Sequence, residues 1–248
     1  MTTVFLAGVF GKMGRQVARM MAGEKDLTIV GGLAPEAKDK VAFPVFTSLA
    51  AINVSADVWV DFTLPQAARA NAEYALNHGM NAVIGTSGLS ADDQEALGVI
   101  AQGNEQSLLI VPNFAISAVL MMQFAAKAAK YFPDAEVVEA HHSDKLDAPS
   151  GTAKATAKLI SEARTKKPVA PHQGAPARGE WLDDVPVHAL RLPGYVAQEE
   201  VVFGAAGESL SIKQVSFDRS SFMAGVALAA RQVDTLPVGL TVGLDALL

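Results

Sequence analysis

The first 112 residues alternate between short apolar runs and stretches of helical spacing, and this rhythm limits the possible folds more than any other feature of the chain. Residues 3–7, 27–33, 57–62, 81–85 and 108–111 read as strands, and residues 12–21, 65–78 and 90–102 read as helices. Parallel strands need a crossover between them, usually a helix, so the alternation predicts a parallel, doubly wound sheet of Rossmann type. Pro65 suits a first helical turn, and Ser90 followed by Asp92 and Asp93 is a sound helix start.

Beyond Pro112 the rhythm changes. A helix at 117–131, a strand at 136–140, a helix at 153–163 and extended runs at 187–192, 199–205 and 209–217 predict an α+β domain built on an open mixed sheet. Residues 165–186, rich in Pro, Gly and charge, read as a surface loop or arm, and 221–233 read as a helix able to pack back on the first domain. The expected division is therefore a dinucleotide-binding domain at 1–112, with 219–248 packing back on it, and a substrate-binding and oligomerisation domain at 113–218. The uncharged run 107–126 is long enough to span a bilayer, but Pro112-Asn113 divides it into a strand and a helix, and we read it as buried core.

The first strand runs into Gly8, Gly11 and Gly14, with Lys12 and Met13 between the last two. This GxxGxxG spacing departs from the usual dinucleotide fingerprint, because Phe10 stands where the middle glycine would be; the strand before and the helix after give it weight. The residue expected to meet the adenosine ribose, about twenty positions beyond the last glycine, falls near Ala34. With no carboxylate there to repel a 2′-phosphate, and with Lys12 and Lys38 nearby, NADPH is compatible; Glu36 keeps NADH compatible too. The loops after later strands carry Phe62-Thr63, Gly85-Thr86-Ser87-Gly88 and Pro112-Asn113-Phe114. Each has an ordinary turn explanation, yet together they are expected to line one crevice suited to a nicotinamide.

The densest chemistry lies at 139–152, EAHHSDKLDAPSGT. His141, His142 and Lys145 fall at a strand end and its loop, and Ser150, Gly151 and Thr152 at a helix start, where unpaired N–H groups and the helix dipole favour an anion. An imidazole passes protons near neutral pH and a lysine offers a fixed positive charge, which together suit a small acid that must be protonated. The plainer reading is that one histidine of the pair is structural and the Pro-Ser-Gly-Thr turn only caps a helix. No metal site is expected, since there is no cysteine and no HExxH. A net charge of −6 argues against a nucleic-acid surface, and half the residues are apolar, enough for a sizeable core. No signal-peptide pattern is read, and a cytoplasmic enzyme without membrane contact is expected.

These motifs resemble the 4-hydroxy-tetrahydrodipicolinate reductase (dihydrodipicolinate reductase) family over nearly the whole chain: GVFGKMGR at 8–15, VDFTLP at 60–65, VIGTSG at 83–88, VPNFAIS at 111–117, EAHHSDKLDAPSGTA at 139–153, LRLPG at 190–194 and RSSFMAGV at 219–226. The resemblance implies NADH- or NADPH-dependent reduction of a cyclic dicarboxylate in lysine and diaminopimelate biosynthesis, by a homotetramer joined through the second domain's sheet. By position it implies catalytic roles for His141 and Lys145, and substrate contacts at His142, Ser150, Gly151 and Thr152. Cofactor contacts are implied at Gly8, Gly11, Lys12, Met13, Gly14, Ala34, Phe62, Gly85, Thr86, Ser87, Pro112, Asn113 and Phe114. The acidic ribose-binding residue of many members falls at Ala34, a departure that bears on cofactor preference. The alternatives are a different NAD(P)-dependent imine or amino-acid dehydrogenase, and a catalytically dead nucleotide-binding sensor.

Overall fold

The computed structural model describes residues 1–36, 39–169 and 176–248, so Lys38 and part of the expected arm lie outside the described residues. The chain forms two compact units, Met1–Phe114 with Phe222–Leu248, and Ala115–Ser221.

In the first unit the chain runs β1 (Thr2–Ala7), α1 (Lys12–Met21), β2 (Leu27–Leu33), β3 (Val45–Phe46), β4 (Val58–Asp61), α2 (Pro65–Asn77), β5 (Asn81–Ile84), α3 (Ala91–Gly103) and β6 (Ser107–Ile110). β4 and β6 are buried along their whole length, as strands covered by helices on both faces must be. Pro65 opens α2, and Ser90 forms a capping box with Asp93 at α3, a device worth roughly 1 kcal/mol.

The second unit holds α4 (Ile116–Ala129), β7 (Asp134–His141), α5 (Gly151–Ala163), β8 (Glu180–Leu182), β9 (Val185–Arg191), β10 (Ala197–Ala205) and β11 (Glu208–Ser216). Its sheet is ordered β11-β10-β7-β9-β8, with β7 and β9 parallel and the other pairs antiparallel. Val137, Val187, Val201 and Phe203 pack against Ala125 and Ala129 of α4 and Ala153, Ala157 and Ile160 of α5. The expected arm at 165–186 is corrected in part. β8 pairs with β9 through a two-residue turn, Asp183-Asp184, both at positive φ (50° and 61°). Aspartate tolerates that conformation, and the primed turn matches strand twist, but Asp-Asp lacks the glycine that usually signals it.

The chain then returns to the first unit with α6 (Met223–Gln232) and a short β12 (Gly239–Val242), which the sequence did not suggest. The completed sheet is parallel and ordered β12-β6-β5-β4-β1-β2-β3. The strand order, not the strand direction, reverses between β1 and β4, which places the loops after these strands, 8–11 and 62–64, at the switch point where doubly wound sheets bind ligands. Trp59 stacks on Phe5 at 4.5 Å in the core beneath. The run 107–126 is split between β6 and α4, and among the described residues no helix is long and apolar enough to cross a membrane.

Candidate active site

In the first unit, β1 ends in a turn that only glycine fits. Gly8 sits at φ +85°, and a Cβ there would lie 2.4 Å from the Phe62 carbonyl oxygen; a Cβ on Gly14 would lie 2.1 Å from the Gly8 carbonyl oxygen. The first and third glycines therefore let the loop approach β4 and let α1 pack on the loop. Gly11 is the N-cap of α1 and no side chain caps that helix, while Lys12 and Met13 lie in its first turn. The helix start keeps N–H groups for an anion. A cavity of ≈ 490 Å³ opens beside the loop, bordered among others by Gly8, Gly11, Ala34, Pro35, Phe62 and Thr63. That volume suits part of a dinucleotide.

The later loops meet as well. Phe62 and Phe114 lie 5.4 Å apart, and a Cβ on Gly85 would strike both rings, at 2.2 and 2.7 Å. Asp61, fully buried at the end of β4, ties these loops together. It accepts hydrogen bonds from the Thr63 N–H and hydroxyl (2.9 and 2.6 Å), the Thr86 hydroxyl (2.8 Å), Asn71 Nδ2 (2.9 Å) and Trp59 Nε1 (3.2 Å). Ser87 and Pro112 are exposed, and Asn113 is half-buried.

In the second unit, the helix-covered face of the sheet changes from apolar to polar along β7, from Val137 to Glu139 to His141. Glu139 has no exposed side-chain surface. Its carboxylate accepts from His141 Nδ1 (2.6 Å), from Arg191 Nη1 and Nη2 (2.8 Å each) and from the Ser150 N–H (3.0 Å). Burial pushes Glu139 up, but the hydrogen bonds from His141, Arg191 and Ser150 outweigh it and bring it down to about 2. Arg191 also donates to the Asp147 carbonyl (2.6 Å), and the Lys145 ammonium donates to both Asp147 carboxylate oxygens (2.7 and 2.9 Å). The Lys145 hydrogen bond holds the Asp147 carboxyl below its usual range.

Ser150 caps α5 through its hydroxyl, which accepts from the Ala153 N–H at 3.2 Å. Gly151, the first helical residue, is exposed, and a Cβ there would meet nothing within 4 Å. Packing does not require glycine at this position; a ligand lying against the backbone would. Of the adjacent histidines, only the His141 ring joins this network. His142 is half-buried, and its carbonyl accepts from the Lys145 N–H. Among the described residues no cluster of His, Cys, Asp and Glu is arranged to hold a metal ion.

A model for the dihydrodipicolinate reductase N-terminus matches residues 2–114, and one for its C-terminus matches residues 117–248. The chain belongs to the dihydrodipicolinate reductase family. It is 46% identical over 262 residues to 4-hydroxy-tetrahydrodipicolinate reductase of Lactobacillus acidophilus, covering 99% of this chain and 98% of that one. It is 45% identical to the protein of the same name from Lactiplantibacillus plantarum, with both chains fully covered. Its fold matches the dipicolinate-bound dihydrodipicolinate reductase from Paenisporosarcina sp. TG-14 with a TM-score of 0.88, at 34% identity and full coverage of both chains.

A pyridine nucleotide fits the nucleotide-binding unit of this dihydrodipicolinate reductase family member, since the loop, helix start and cavity are those a dinucleotide needs. Sequence reasoning missed Glu139, Arg191 and Asp61, the residues on which the two sets of loops hang. A glutamate in EVVEA reads as the solvent side of a strand, and its partner Arg191 lies 52 residues away. Asp61 carried a signal of its own, a charged residue ending an otherwise apolar buried run.

Proposed function

We propose that this chain reduces 4-hydroxy-2,3,4,5-tetrahydrodipicolinate to 2,3,4,5-tetrahydrodipicolinate, consuming NAD(P)H and a proton and releasing water, in diaminopimelate and lysine biosynthesis. One observation carries the reading. An imidazole and a helix start with an unforced glycine are hydrogen-bonded to one carboxylate, Glu139, at one end of the second unit's sheet, and Arg191 links the same carboxylate to the loop in which Asp147 holds the Lys145 ammonium. Family membership across both units supports it.

A nicotinamide cofactor, when bound by the first unit, would supply a hydride for C4 of the dehydrated ring. His141 delivers or relays the proton that the neighbouring ring carbon requires, and Lys145 stabilises the negative charge developing on the ring nitrogen. Lys145 is held by Asp147, so engaging the ring nitrogen means giving up part of that ion pair. The Gly151 and Thr152 amides, with the Ser150 turn, hold a substrate carboxylate at the helix start, and His142 contacts the ligand from the adjoining turn. In the first unit, the Gly8–Gly14 loop with Lys12 and Met13 holds the pyrophosphate, and Ala34 faces the adenosine ribose. Phe62, Gly85, Thr86, Ser87, Pro112, Asn113 and Phe114 hold the nicotinamide. With alanine at position 34, both NADH and NADPH are accepted. The intact ion-pair network around His141 argues against a dead sensor.

We assign the two units to cofactor and to substrate, and place the enzyme in the cytoplasm as a homotetramer. The tetramer contact falls on the face of the second sheet opposite α4 and α5, where Val138, Leu190 and Val202 are only partly covered. Neither nucleic acid nor membrane is a partner.

The substrate class is tested by adding dipicolinate, a flat cyclic dicarboxylate, to the protein and measuring binding by calorimetry. The reading expects saturable binding that a monocarboxylate such as picolinate does not reproduce. Equal binding of both would favour a different imine dehydrogenase.

A further inference from the structure

Glu139 makes more contacts than a strand residue needs. A carboxylate has about four acceptor sites. On Glu139, Oε1 takes the Ser150 N–H and Arg191 Nη2, and Oε2 takes His141 Nδ1 and Arg191 Nη1. No acceptor site is left for a ligand, so Glu139 does not act on substrate. Its donors come from separate segments: His141 ends β7, Arg191 ends β9 and Ser150 starts α5. Through Arg191 and the Asp147 carbonyl, the same carboxylate also anchors the loop carrying Lys145.

The charge state sharpens this arrangement. A carboxylate that receives a bidentate guanidinium stays ionised and can only accept, so the His141 nitrogen 2.6 Å away must bring the proton. We propose that Glu139 is the positioning residue of this site. It fixes His141 as the Nδ1–H tautomer, leaving Nε2 as the nitrogen that exchanges a proton with the ligand, and through Arg191 it fixes the Lys145 loop. The inference rests on reading His141 as the proton donor. In the transfer, a protonated imidazole gives its Nε2 proton to the ring carbon and returns to the neutral Nδ1–H form, while Glu139 takes no proton. The logic is that of a carboxylate orienting a catalytic histidine.

The test uses the full chain labelled with ¹⁵N-histidine, the His141 signals being assigned by their loss in His141→Gln. In the wild type, neutral His141 should show a protonated Nδ1 and a bare Nε2; the opposite pattern overturns the proposal without any variant. Glu139→Gln should switch or mix the tautomer and lower kcat on the cyclic dicarboxylate by on the order of 10²-fold or more, with cofactor affinity unchanged. A wild-type far-UV spectrum and unfolding transition show that the variant is folded, since cofactor affinity reports only on the first unit. A folded Glu139→Gln with wild-type kcat and wild-type ring signals would overturn the proposal and leave the reductase reading standing. If Glu139→Gln does not fold, Arg191→Lys takes its place. It should keep the Nδ1–H signal while lowering kcat, and an unchanged kcat would overturn the claim for the Lys145 loop. Lack of wild-type turnover would refute the reductase reading, while the tautomer signal would still decide the role of Glu139.

Discussion

Glu139 on β7 and Glu199 on β10 face each other directly across neighbouring antiparallel strands, both buried, with opposite protonation preferences. Glu139 is held at about 2, whereas burial, with the charge of Glu139 adding to it, pushes Glu199 up to about 7 against the hydrogen bond of Thr156. Thr156 lies within hydrogen-bond reach of both the Thr152 carbonyl and Glu199. A hydroxyl has one proton, so when Thr156 donates it to Thr152 the Glu199 contact needs a proton on the carboxyl. The sheet thus accommodates one full negative charge beside His141.

Stability against pH follows with opposite signs for the two groups. The raised Glu199 contributes stability that is complete below the ordinary glutamate value of 4.5 and is lost as pH rises to about 7. The depressed Glu139 contributes stability above 4.5 that is lost as pH falls towards about 2. Glu199→Gln should remove the first effect, gaining on the wild type by up to about 3 kcal/mol between pH 4.5 and 7.5. Urea unfolding at both pH values checks this, and a constant difference between the two proteins would contradict it.

Gly151→Ala separates folding from binding. Alanine at the first helical position meets no obstruction, so stability should hold or rise by up to about 1 kcal/mol. The methyl group would lie where we place a substrate carboxylate, so KM for the dicarboxylate should rise at least several-fold. Unchanged KM with unchanged stability would remove the helix start from the site.

Much of this architecture was legible because it is local. Strand–helix alternation, the caps at Ser90 and Ser150, and the proline at the start of α2 are each written within a few residues. What was illegible depends on distant partners. Glu139 acquires its meaning from Arg191 on a strand it pairs with only after folding, and Asp61 from Thr86, 25 residues on. β3, β8 and β12 are too short for periodicity to register, and sheet register alone sets Glu199 opposite Glu139.

His141→Gln should lower kcat by roughly 10²–10⁴-fold while cofactor binding is preserved. Lys145→Ala should depress turnover more than it weakens NAD(P)H binding, since we assign the cofactor to the other unit. Steady-state kinetics with separate cofactor titrations check both, and equal losses in turnover and cofactor binding would point to structural roles.

Ala34→Asp would set a carboxylate at the cavity wall where we place the adenosine ribose. The ratio of kcat/KM for NADPH to that for NADH should fall by about tenfold or more, from like-charge repulsion of the 2′-phosphate. An unchanged ratio would show that residue 34 does not face the ribose.

Reduction of the cyclic dicarboxylate can be measured directly. Purified protein is added to dihydrodipicolinate synthase, pyruvate and aspartate semialdehyde, and nicotinamide absorbance is followed with NADH and with NADPH. Both cofactors should be oxidised, and only when every component is present. Folded protein that oxidises neither would contradict the reductase reading.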